Sequence, residues 1–248
     1  KISPLLLRDA VYNDGNNWST DKTAADFRLI LNNYAVLDFL PELTDIKDEN
    51  GNSFTFIVNE LTHEPGFLQA PDYVPVPNVT DRGKSKYSDI INYPANISSI
   101  KRLGEWFDFL REHGAYDNSR IIIVSDHGAN IDLGVFAGEL PLRRELYNPL
   151  LLVKDFNASS LFAPDFSFMT NADVPFLAME NIITNPVNPF TGNPVNCEEK
   201  KKPVHITTSA KWMPGEHKQN TFAINPEEWY SVHENIFSAE NWKHELWE

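Results

Sequence analysis

The stretch Ser119-Arg120-Ile121-Ile122-Ile123-Val124-Ser125-Asp126-His127-Gly128-Ala129-Asn130 decides how this chain is read. Ile121 to Val124 form an unbroken β-branched run that polar residues end abruptly. Such a run predicts a strand buried on both faces, as in a parallel sheet. In open α/β sheets ligands gather beyond the carboxyl ends of the strands, so the turn after Val124 is where function is expected. Asp126 and His127 are two good ligands for a divalent metal, and Gly128 lets the chain turn sharply beside them. The same residues also suit an Asx-type turn, in which Asp126 caps the next segment and His127 is merely exposed.

Upstream, Phe54-Thr55-Phe56-Ile57-Val58-Asn59-Glu60 reads as a second strand. It too ends in a polar turn, containing Thr62, His63, Glu64 and Pro65. Between the two strands the spacing predicts a helix from Ile97 to His113, with Ile100, Leu103, Phe107 and Leu110 on one face. Strand, helix, strand is the crossover unit that makes a parallel pair. It would set His63 on the same rim as Asp126 and His127; otherwise His63 is a lone loop histidine. The Pro- and Tyr-containing stretch from Phe67 to Pro94 is a loop long enough to wall a pocket. Arg82, Lys84 and Lys86 within it read as surface charge, though they are placed to meet an anion.

Farther out, Ser19 or Thr20 caps an amphipathic helix from Asp21 to Leu40, with Phe27, Ile30, Leu31, Tyr34, Leu37 and Leu40 inward. Leu150 to Val153 reads as a third buried strand. Thr170 or Asn171 caps a short helix over 174–182 that carries Pro175 in its first turn. From Val204 the pattern changes to short half-exposed strands at 204–208, 221–224 and 229–232, followed by a tail with Phe237, Trp242 and Trp247. The expected fold is therefore α/β: a mostly parallel sheet flanked by helices over residues 1–200, with a small antiparallel C-terminal extension at 201–248.

The chain has 248 residues, 42% hydrophobic and 23% charged, which is a globular composition. Its formal net charge of −14 argues against a nucleic-acid surface. The single cysteine, Cys197, excludes a disulfide within the chain and a Cys-rich zinc site. No apolar stretch approaches the ~20 residues a membrane helix needs. Of the tail histidines His205, His217 and His233, each reads first as structural. His205 is the best placed to reach a site, because it lies in a strand-like segment.

Four elements now stand in order: T-H-E-P at 62–65, S-D-H-G at 125–128, N-P-L-L-L-V at 148–153 and T-N-A-D-V-P-F-L at 170–177. Together they resemble the alkaline phosphatase/sulfatase superfamily, in particular its lipoteichoic acid synthase-like and phosphoethanolamine transferase-like branch, over residues 54 to 183. The resemblance implies that Asp126 and His127 ligate a divalent metal (Mn, Zn, Mg or Ca). It also implies that His63, with Glu64 beside it, faces the transferred group. The chemistry would be phospho- or sulfo-group transfer or hydrolysis on an envelope lipid or glycan headgroup. A cation activates a hydroxyl nucleophile, usually Thr, and neutralises charge on the transferred group.

Two departures qualify that expectation. The family's nucleophile and an acidic ligand lie upstream of the histidine turn, and the 62 residues before His63 hold no strand–turn–Thr–helix element. Ala129-Asn130 also stand where the family usually has an acidic residue. The expectation is a C-terminal part of a larger domain, inactive alone. Its parent would be anchored by N-terminal membrane helices, with the domain on the periplasmic or extracellular face. An arylsulfatase-like or phosphodiesterase hydrolase is the alternative, although no C-x-P-S-R motif is present. A degenerate, non-catalytic binding domain is the alternative of another class.

Overall fold

Phe27, Ile30, Tyr34 and Leu37 recur at three- and four-residue spacing, and they wind into α1 (Lys22–Asp38). The computed structural model describes residues 22–47, 51–63, 66–132, 134–136, 138, 140–196, 202–208 and 228–245. The expected caps Ser19 and Thr20, the strand at 221–224, Cys197, His217 and Trp247 lie outside them, as does Glu64. The chain divides into two compact units, Lys1–Asn118 and Ser119–Glu248. No helix among the described residues is long and apolar enough to cross a membrane.

In the first unit, α1 is followed by the short α2 (Leu40–Leu43), a two-residue hairpin of β1 (Leu68–Gln69) and β2 (Val74–Pro75), and α3 (Tyr93–Glu112). Ile30, Tyr34, Leu37, Leu40, Leu61, Phe67, Leu68 and Ala95 make one buried cluster, with Phe27, Leu103 and Trp106 packed against it. α3 begins earlier than its periodicity predicts, because Pro94 suits a first turn whose N–H groups have no helical partner. Its buried face runs through Ala95, Ser98 and Leu110, while Ile100 points to solvent. Ser98 shares that face because its hydroxyl donates to the Tyr73 carbonyl at 2.8 Å, tying the hairpin to the helix. Arg102 ties α3 to α1 by donating to Asp38 at 2.8 Å. The Trp106 indole N–H donates to the Thr44 hydroxyl at 2.8 Å.

The expected mostly parallel sheet does not form. Among the described residues the sheets hold two, two and three strands, and every pairing is antiparallel. Two findings overturn the α/β expectation. Residues 54–60 join no ladder, so the crossover unit lacks its first strand. The second strand, β3 (Ile121–Val124), pairs among the described residues only with β4 (Leu151–Lys154), Ile121 opposite Lys154 and Val124 opposite Leu151. The physical reason is that an apolar run without a period carries no information on the direction of its neighbour. Nor is β3 buried on both faces: Ile121 to Ile123 are half-buried and Val124 is exposed.

The second unit has its core elsewhere. β5 (Val204–Thr207), β6 (Trp229–Val232) and β7 (Trp242–Glu245) form a meander in the order β5-β6-β7. Tyr230, Val232 and Trp242 are buried under Leu140, Leu142, Tyr147 and Phe168. Tyr147 donates its hydroxyl to the Thr207 carbonyl at 3.0 Å, and burial raises its pKa so that it remains a donor. Beside β3 and β4, a 3₁₀ turn (Asn171–Asp173) leads into α4 (Val174–Met179).

One buried cation joins these last elements. The Arg120 guanidinium donates to Asp155 Oδ1 through Nε at 3.0 Å and Nη2 at 2.9 Å. Its Nη1 donates to the carbonyls of Leu177 at 2.8 Å and Glu180 at 2.6 Å, at the end of α4. Its planar fork makes four bonds to three partners at once, whereas an ammonium has only three N–H donors on one atom. Arg120→Lys is expected to cost about 2 kcal/mol of stability in urea denaturation. The Phe156 N–H and the Arg120 guanidinium hold the Asp155 carboxyl below its ordinary 3.8. A depressed carboxylate contributes stability above its unfolded pKa and loses it as pH falls through the folded one. The stability advantage of the wild type over Asp155→Asn is therefore expected to shrink as pH drops through the acid range below 3.8.

Candidate functional site

Ser125 continues the β3–β4 ladder by one step and then ends it. Its N–H donates to the Leu150 carbonyl at 3.0 Å, and its hydroxyl accepts the Leu150 N–H at 2.8 Å. The hydroxyl takes the Leu150 N–H that the Ser125 carbonyl would accept in a continuing ladder, and that carbonyl accepts the Asn171 amide instead, so the chain leaves the sheet at Asp126. Gly128 then passes against the backbone of the 3₁₀ turn that leads into β4 (Arg144–Tyr147), its N–H donating to the Leu146 carbonyl at 2.8 Å. A Cβ at 128 would collide with the Glu145 carbonyl oxygen and lie 2.9 Å from that of Asn148. Glycine is required here for close approach.

Arg144, almost fully buried, anchors that 3₁₀ turn. It donates to the Gly138 carbonyl at 2.6 Å and to the Phe237 carbonyl at 3.4 Å, and it lies over the Phe136 ring. Tyr147 of the same turn packs against Trp242. The turn at 125–128 is thereby tied to the meander core of its unit.

From the other side Asn171 donates its amide to the carbonyls of Ser125 at 3.0 Å and Asp126 at 2.9 Å. This role was missed in the sequence, where Asn171 was one of two candidate caps. The signal was present: Thr170-Asn171-Ala172-Asp173 is a Thr-x-x-Asp capping box. Thr170 accepts the Ala172 N–H at 3.2 Å, and buried Asp173 accepts the Thr170 N–H at 2.8 Å. With Thr170 as the cap, the Asn171 side chain is released to reach the turn.

Within the turn, each side chain commits one polar atom and leaves another open. Asp126 Oδ1 accepts the His127 N–H at 3.0 Å. His127 Nδ1 lies 2.6 Å from the Gly128 carbonyl. A carbonyl only accepts, so this contact calls for a proton on Nδ1; in that tautomer of the neutral imidazole the lone pair is on Nε2. Metal-bound histidines hold their second nitrogen in this way. His127 Nε2 faces Asp126 Oδ2 at 3.8 Å, and both side chains are largely exposed, 62% and 90%. One ion held at ~2.1 Å by both atoms with tetrahedral geometry requires them about 3.4 Å apart. Rotation of two exposed side chains supplies that closure. The donor types fit a divalent cation, but two donors fall short of a full set. Among the described residues no group of three or more His, Cys, Asp or Glu is arranged to hold a metal.

The other expected residues lie on other elements. His63 is exposed in the first unit, at the end of a turn in which its N–H donates to the Glu60 carbonyl at 3.0 Å. Asn92 braces that turn by donating to the Thr62 carbonyl at 2.8 Å. With no strand at 54–60, the crossover argument that set His63 beside His127 loses its basis. His205 is an exposed residue of β5, opposite Ser231, in the three-stranded sheet. A cavity of about 110 Å³ adjoins the turn, lined by Ala129, Ile131, Val135, Phe136, Glu145 and Asn148.

No family model, curated protein or solved structure matches the chain.

Two substitutions test how the turn is held. Gly128→Ala must displace the 145–148 backbone and is expected to cost about 1–3 kcal/mol. Asn171→Ala removes two bonds at an exposed site and is expected to cost about 1 kcal/mol. Equilibrium denaturation reads both; equal stability of Gly128→Ala and wild type would contradict the close approach.

Proposed function

We propose that this chain contributes part of a metal-dependent phospho- or sulfo-group transferase or hydrolase site, of the alkaline phosphatase/sulfatase kind. Asp126 and His127 are its cation-binding pair. The observation that carries the reading is the open pair of atoms, His127 Nε2 and Asp126 Oδ2, presented together at a strand end by a turn braced from both sides. The order of the S-D-H-G, N-P-L-L-L-V and T-N-A-D-V-P-F-L elements supports it further, since Asn171 of the third braces the first.

A divalent ion bound there would polarise a phosphate or sulfate oxygen and lower the pKa of a hydroxyl nucleophile. The chain's own part is to hold that charge in place. Ser125 stops the strand, Gly128 brings the turn against the 3₁₀ backbone, and the Gly128 carbonyl holds the His127 ring in its metal-binding tautomer. The remaining ligands and the nucleophile come from outside the described residues. On this reading the substrate is a phosphorylated or sulfated lipid or glycan at the outer face of a cytoplasmic membrane, and the isolated chain does not turn over. A second reading, a non-catalytic binding domain, is favoured by the lack of a third ligand among the described residues.

Paramagnetic Mn²⁺ titration followed by NMR tests the pair directly. Saturable broadening centred on residues 125–128, lost in Asp126→Ala and in His127→Ala, is the expected result. Broadening spread evenly over the acidic surface, unchanged by either substitution, would overturn the proposal.

A further inference from the structure

Three Asn-x-Ser/Thr triplets fall among the described residues: Asn78-Val79-Thr80, Asn96-Ile97-Ser98 and Asn157-Ala158-Ser159. The triplet is the acceptor pattern for an N-linked glycan. Such triplets also arise by chance in an Asn-rich chain, so geometry has to separate them. Glycan transfer to a folded chain makes three demands. The side-chain amide must be free, because its nitrogen is the nucleophile. The hydroxyl two residues on must be free, because the transferase reads it by hydrogen bonding. The backbone must enter an extended cleft, which a helix cannot do without unwinding.

Asn96 fails all three. It lies in α3, its amide donates to the Asn92 carbonyl at 2.8 Å, and the fully buried Ser98 hydroxyl donates to the Tyr73 carbonyl. Asn78 is exposed, but Thr80 is committed: its N–H and its hydroxyl both donate to Gln69 Oε1, at 2.9 and 3.1 Å.

Asn157 meets all three. It sits at φ 52° in the turn after β4, where the Ala158 N–H donates to the Asp155 carbonyl at 3.3 Å. Asn enters this left-handed region more readily than most residues. Among the described residues neither its amide nor the Ser159 hydroxyl has a hydrogen-bond partner. Residues 157–167 are exposed throughout and join no helix or strand, so drawing them into a cleft breaks no ladder. On the N-terminal side the turn is fixed, because Arg120 and the Phe156 N–H both hold the Asp155 carboxylate.

We propose that Asn157 carries an N-linked glycan. The co-reactant is an oligosaccharide activated as a lipid pyrophosphate, met with its transferase at the outer face of the membrane. The Asn157 amide nitrogen attacks the anomeric carbon. An N–C bond forms, the C–O bond to pyrophosphate breaks with its electron pair on the leaving oxygen, and one amide proton passes to a carboxylate of the transferase. The inference shares with the proposed function only the outer-face placement; it uses neither Asp126 nor His127.

The protein is isolated from its native cells, and its glycopeptides are sequenced by electron-transfer mass spectrometry, which assigns an attached mass to one residue. A sugar-bearing Asn157 and a bare Asn96 are the expected result. Ser159→Ala should drop occupancy at Asn157 to background with an unchanged urea midpoint, and Ser159→Thr should retain it. An unmodified Asn157, a glycan on Asn96, or occupancy of Asn157 that survives Ser159→Ala would each overturn the inference. A bare Asn157 alongside Mn²⁺ broadening at 125–128 would remove the acceptor and leave the cation pair standing.

Discussion

The approach of Gly128 to the backbone of residues 145–148 is the contact on which the site depends. Because no side chain fits between them, the chain after β3 runs directly against the 3₁₀ turn of Arg144 to Tyr147. That turn is in turn fixed by a buried arginine and by Tyr147 against the aromatic core of the meander. A loop carrying two exposed polar side chains thereby acquires a defined position without burying either of them. Asn171 completes the arrangement by holding the carbonyls of Ser125 and Asp126. Preorganisation of this kind comes from the backbone and from neighbouring side chains, so Asp126 Oδ2 and His127 Nε2 stay open.

Local features were legible in the sequence where a single chemical cause acts. The spacing of Phe27, Ile30, Tyr34 and Leu37 predicts α1 because a helix repeats every 3.6 residues. The abrupt end of Ile121–Val124 predicts the turn at 125–128, because Ser and Asp side chains compete with the ladder for backbone partners. Strand pairing was not legible. The run at 121–124 is compatible with a parallel or an antiparallel neighbour, and the choice fell to Leu151–Lys154 through the Ser125–Leu150 bonds. The run at 54–58 has the composition of a strand but no neighbour among the described residues, and an unpaired strand has nothing to stabilise it. The turn that carries the candidate ligands Asp126 and His127 was legible in the sequence. Its bracing was not, because contacts such as Gly128 to Leu146 and Asn171 to Asp126 are set by tertiary approach.

The apolar surface is distributed unevenly in a way that the fold explains. The meander and the α1–α3 core bury their aromatic and aliphatic residues, whereas Phe54, Phe56, Val124, Leu150 and Val153 lie open along strand-forming segments. Exposed apolar residues concentrated on β-forming backbone leave strand edges and faces open to pairing.

The tautomer of His127 tests the central claim most directly. ¹⁵N NMR of the imidazole in the free chain reads which ring nitrogen carries the proton. A proton on Nδ1, bonded to the Gly128 carbonyl, with an unprotonated Nε2 facing Asp126 is the predicted result. A proton on Nε2 would close the open pair, and the turn would then be an ordinary strand end rather than half of a cation site.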